Sequence, residues 1–133
     1  MVKVKLSRVS GLLFLNIGLW SVSERKYRDM AILLDTGASV TTISERILSS
    51  LGYENPGNSV IVTTASGVIS VRTKTIDKLR IGSLELEDIN VYSHSFPDEC
   101  FSDGVLGMNV LDMFNFKADL DNLIIELETR KTT

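Results

Sequence analysis

Residues 31–44 read AILLDTGASVTTIS. Ala31, Ile32, Leu33 and Leu34 make the apolar end of a strand, and Asp35 follows at once. A carboxylate in that position must be hydrogen-bonded, paired or protonated, because burying it unaided is costly. The residues after it suit the need. Thr36 brings a hydroxyl donor. Gly37 has no Cβ, so backbone can come close and its N–H can aim at the carboxylate. Ala38 and Ser39 keep the turn small, and Ser39 adds one more hydrogen-bonding group. The plain alternative is a capping aspartate in a tight turn, which the tripeptide D-T-G alone would favour. The apolar run before it and GASVTTIS after it favour a loop built to hold one carboxylate rigidly.

The rest of the chain bounds what that loop can serve. Its 133 residues suffice for one domain with a real core and are too few for two ordinary ones. At 44% apolar and 23% charged, the composition is globular rather than disordered. A net charge of −3 leaves no basic face for nucleic acid. The densest charged stretch, SERKYRD at 23–29, mixes signs and reads as a solvated turn. The single cysteine, Cys100, has no internal disulfide partner, which fits a reducing compartment and a cytoplasmic location. A Cys/His nucleophile pair with His94, or a metal site from His94, Asp98, Cys100 and Asp103, lacks the close Cys/His pairing of structural zinc sites. The expectation is no metal and no organic cofactor. Phosphate-cradling glycine loops and a G-x-S-x-G elbow are missing. Lys3, Lys5 and Arg8 ahead of GLLFLNIGLW, with SVS after it, imitate a secretion signal. That run carries Asn16 and Gly18 and is too short to span a bilayer, so no cleaved leader and no membrane anchor are expected.

Outward from residue 35 the pattern is strand-like. VKVKL alternates as a half-buried or edge strand does. LLFLNIGLW, turn residues 21–29 and MAILLD predict a hairpin ending at Asp35. Residues 59–76 predict two β-branched strands around a tip at Ala65, Ser66 and Gly67; residues 78–93 a hairpin turning at Gly82-Ser83; residues 116–127 another turning at Asp121-Asn122. Thr42 and Glu45 are spaced as a capping box and Gly52 as a left-handed stop, so 44–51 should be helical. NVLDMF, 109–114, is a second short helix, and the tail from 128 should fray. Residues 53–58 and 94–103 read as loops.

With these pieces in order, the chain resembles the retropepsin-like aspartic proteases. AILLDTGASVTTIS is similar to their active-site loop, and IVTTASGVISV sits where they carry a flap hairpin. DGVLGMNVLDMF is similar to the segment that runs beneath the active-site loop and enters a helix, with Val105, Leu106 and Gly107 in the hydrophobic-hydrophobic-glycine places. A closing strand like NFKADLDNLIIEL follows, so the resemblance spans about residues 11–127. It departs at the tip, with one glycine, and at MVKVKLS, which has no clear counterpart. It implies a mostly-β, single-domain, closed barrel-like acid-protease fold with one or two short helices.

The resemblance also implies a mechanism. Two carboxylates share a proton; one activates a water and the other protonates the scissile carbonyl oxygen. This chain has one D-T-G: Asp103-Gly104 lacks the middle residue, and ADLDN lacks the glycine. The second carboxylate would therefore come from another copy across a two-fold axis. Asp35 would be catalytic, with Thr36 bonding across the dyad and Gly37, Ala38 and Ser39 completing the loop against substrate backbone. Ala65, Ser66 and Gly67 would close over an extended peptide or protein substrate, and Val40, Thr42, Ile69 and Val105 would wall its pockets. The rival is a catalytically silent dimerisation or peptide-binding module of the same fold, which would have no need of Asp35.

Overall fold

The computed structural model describes residues 1–54, 57–94 and 103–130. Its elements in chain order are β1 (Val2–Val9), β2 (Leu12–Ser21), β3 (Lys26–Leu34), β4 (Thr42–Ser44), α1 (Glu45–Ser50), β5 (Asn58–Thr64), β6 (Gly67–Ile81), β7 (Leu84–His94), β8 (Gly104–Leu106), α2 (Met108–Leu111), β9 (Phe114–Asp119) and β10 (Ile124–Thr129). The strands run in the order β5-β6-β7-β4-β8-β3-β2-β1-β10-β9, and a further β2–β6 pairing bends the middle six into a ring. The fold is mostly β, as expected, but it is a ring with two strand extensions rather than a clean barrel. Leu15, Ile17, Ile32, Ile43, Leu79 and Leu106 fill it, each at most 2% exposed. β2 is nearly all apolar and largely buried, and it has a partner on both edges, β3 on one and β1 then β6 on the other.

Several local expectations change. The 21–29 turn is shorter, because β3 starts at Lys26 and Tyr27 pairs with Trp20. Thr42 does not cap α1: it belongs to β4, and the N-cap residue is Ser44, without a side-chain cap bond. The other end behaves as read. Gly52, at φ +95°, donates to the Ser49 carbonyl and Tyr53 to the Leu48 carbonyl, a left-handed stop that closes the last turn. β1 takes the half-buried alternative of its reading rather than the edge one; its first half pairs with β10 and its second with β2. The tail is ordered further than expected, since Glu128 and Thr129 pair with Asn115 and Phe114. The β9–β10 turn is pinned by Asp119, which accepts from the Asp121 and Asn122 backbones and the Asn122 side chain. The Asn122 side chain is the main reason that carboxyl titrates below its usual range. No helix among the described residues is long and apolar enough to cross a membrane.

Candidate active site

Strand order fixes the site. β8 lies between β3 and β4, parallel to β3, with Leu34 beside Leu106. The chain leaving β3 must therefore cross the end of β8 to reach β4, and residues 35–41 make that crossing. Asp35 still belongs to the ladder through its N–H, 3.1 Å from the Leu106 carbonyl. Asp35 is a residue of intermediate exposure, and the Gly37 N–H donates to its Oδ1 at 2.9 Å. The glycine thus meets the carboxylate's need in the way its sequence position suggested.

Beneath the loop runs Gly107. A Cβ there would lie 2.7 Å from the Val40 carbonyl carbon and 2.9 Å from both the Ala38 oxygen and the Thr41 nitrogen, all backbone atoms. Only glycine admits that crossing. The next two residues hold the loop from below: Met108 N–H donates to the Ala38 carbonyl at 2.8 Å and Asn109 N–H to the Ser39 carbonyl at 3.1 Å. Thr41 is fully buried and its polar groups are all matched. Its N–H and hydroxyl both donate to Asn109 Oδ1, at 2.8 and 2.9 Å, and its hydroxyl oxygen accepts the Gly107 N–H at 3.0 Å. Asn109 Nδ2 then donates to the Asn90 carbonyl at 2.7 Å, tying the loop to β7. Sequence reasoning missed Thr41 and Asn109. Alternation offered a hint, since Val40 and Thr42 face one way and the residue between them must face the other.

An Asn109→Leu variant should be destabilised by about 2–4 kcal/mol, because it strands two buried donors of Thr41 and loses the tie to β7. Urea unfolding reads this directly; a midpoint equal to the parent's would mean that the network carries no stability.

Above the loop lies a cleft of about 530 Å³. Asp35, Gly37, Ala38, Ser39, Val40, Thr42, Ala65, Ile69 and Val105 line it, so nine of the expected site residues from three separate segments meet there. Thr36, Ser66 and Gly67 do not line it and are exposed. The hairpin of β5 and β6 forms one wall and pairs Val62 with Ile69. Its turn is Ala65-Ser66 alone, since Gly67 already pairs with Thr64. Val62, Thr63, Val71 and Tyr92 also line the cleft and were not picked out from the sequence, and so does His94, which was weighed there only for the nucleophile pair and the metal site. Tyr92 and His94 arrive through the parallel β4–β7 pairing, which sets them beside Thr42 and Ser44. Asp98 and Cys100, the other half of the nucleophile and metal alternatives, lie outside the described residues. Asp103 is paired with Arg46 at 2.8 Å. No cluster of three His, Cys, Asp or Glu side chains occurs among the described residues.

The arrangement is one positioned carboxylate on the floor of a largely apolar cleft that is walled by a hairpin. Known proteins bear on it directly. The family model described as aspartyl protease matches residues 23–110. Among solved structures, the fold is similar to a retropepsin-like aspartic protease from Rickettsia conorii, at a TM-score of 0.67 and 23% identity over 93% of this chain and 88% of that one. No curated protein matches the chain. The match over residues 23–110 takes in the Asp35 loop, the hairpin and the Gly107 crossing; with a fold similar to that retropepsin-like structure, the chain belongs to the aspartyl protease family.

Proposed function

We propose that this protein is an aspartic endopeptidase that acts as a homodimer, with Asp35 of each protomer facing its mate across a two-fold axis. The observation that carries the reading is Asp35 itself, held by the Gly37 N–H on the floor of the cleft. In the dimer the two carboxyls share one proton. The ionised one takes a proton from a water between them as that water attacks the peptide carbonyl carbon; the protonated one gives its proton to the carbonyl oxygen. The exposed Thr36 side chain bonds across the axis and locks the two loops together. An extended substrate lies between the loop and the hairpin, its side chains against Val40, Val62, Ile69 and Val105. A cytoplasmic location belongs to the same reading, and fractionation of the full-length protein tests it. Turnover of a peptide library, compared with an Asp35→Asn protein, tests the activity. Equal turnover by the two would return Asp35 to the role of a turn residue.

Two expectations follow from the same reading. Specific activity should fall on dilution through the dimer dissociation constant; sedimentation showing a fully active monomer would refute the shared site. The hairpin should act as a flap. Gly67 stands at φ +128°, and a Cβ there would meet nothing within 4 Å, so a substitution is penalised by backbone conformation alone. Holding a side chain there costs about 1–3 kcal/mol. Gly67→Val should lower kcat/KM by about tenfold through poorer closure, and unchanged kinetics would make 58–81 ordinary sheet.

A further inference from the structure

Two residues of the cleft wall are unlike their neighbours. Val40, Val62, Ile69, Val71 and Val105 make much of the lining apolar, but β7 brings in Tyr92 and His94. Side chains two apart in a strand point the same way, so these two share a face. Ser93, between them, turns to the core at 1% exposed, which leaves Tyr92 and His94, both of intermediate exposure, to the cleft. Their place in the sheet keeps them out of the reaction. The order β7-β4-β8-β3 puts three strand spacings, about 14 Å along the sheet, between β7 and the strand that ends at Asp35. An extended substrate advances about 3.4 Å per residue, so the pair meets a side chain away from the bond that is cut.

The chemistry of the pair is one-sided. The phenol of Tyr92 carries an O–H donor, and among the described residues nothing hydrogen-bonds it. The imidazole of His94 carries an N–H donor in either protonation state. Apart from Asp35, no carboxylate lines the cleft among the described residues. A carboxylate from the substrate accepts only, and it can take both donors in charge-assisted bonds. A lysine or arginine would bring donors to donors. An aliphatic side chain would strip water from both groups and return no hydrogen bond. We infer that Tyr92 and His94 select an acidic side chain in the bound peptide. The preferred ligands are then extended segments with an Asp or Glu a few residues from the scissile bond and apolar residues against the rest of the cleft. The inference rests on the cleft being the peptide site of the reading above and adds which peptides it takes.

The test is peptide binding to the Asp35→Asn protein, which should bind without cutting. Peptides selected on it from a displayed random library should be enriched in Asp or Glu at one position. A synthetic peptide with Glu there should bind about tenfold more tightly, by fluorescence anisotropy, than the same peptide with Leu or Lys. Adding His94→Glu should reverse the order of the Glu and Lys peptides. Adding Tyr92→Phe should shrink the advantage of Glu over Leu severalfold, since it removes one donor and keeps the ring. Each comparison is a ratio within one protein, so a general loss of affinity cancels. The absence of peptide binding, selection without acidic enrichment, or a ratio unchanged in either variant overturns the inference. The protease reading is scored separately, by hydrolysis in the parent against Asp35→Asn. A protein that cuts peptides with no acidic preference loses the inference alone; one that binds acidic peptides and cuts none loses the protease reading alone.

Discussion

Replacing Asp35 with asparagine should abolish hydrolysis, by about three orders of magnitude or more, and leave the fold in place. The geometry explains why the two effects separate. The amide oxygen of asparagine can still accept the Gly37 N–H, now 2.9 Å from Oδ1, and the N–H of residue 35 still reaches the Leu106 carbonyl. An amide cannot take a proton from water. The proposed dimer should persist and tighten, because two facing carboxyls would be removed from its shared site. In the parent, the proposed dyad would need one proton between its two carboxyls, so the rate should rise and fall with pH. An Asp35→Asn protein with parental turnover would end the protease reading.

Gly107→Ala should be strongly damaging for the addition of one methyl group. The added carbon would meet backbone of Ala38, Val40 and Thr41 at 2.7–2.9 Å, so no side chain can swing aside to make room. The loop must lift instead, and lifting it pulls Thr41 from Asn109 and the Ala38 carbonyl from Met108. A stability loss of about 2–3 kcal/mol is expected. Activity should fall by about a hundredfold even where the protein remains folded, because displacing the carboxylate by an ångström misaligns the attack. Thermal unfolding together with kinetics on the folded fraction checks both. A variant with parental stability and activity would show that the crossing is looser than its distances indicate.

Much of this was legible in the chain, for identifiable reasons. Strand alternation and glycine turns marked the hairpins, since those depend on neighbours in sequence; Gly82-Ser83 turns where it should. Asp35 was legible because its needs are met within two residues. Thr42 shows how local reasoning fails: its spacing to Glu45 suits a helix cap, but pairing with Tyr92 and Val105 draws it into β4. Thr41 and Asn109 are 68 residues apart, and nothing in either neighbourhood announces the other. His94 reaches the cleft wall only through its register with Ser44. The place of β9 at one end of the strand order, among the described residues, depends on how distant strands pair, and a sequence pattern carries no such order.

The proposed function puts a single active site between two chains, and that stoichiometry can be counted. The active enzyme is titrated with a tight transition-state mimic that carries a hydroxyl on a tetrahedral carbon, which takes the place of the attacking water between the two carboxyls. Inhibition should be complete at one inhibitor for every two chains. Inhibition that is complete only at one inhibitor per chain would mean that each protomer carries a whole site, and the shared dyad would be refuted.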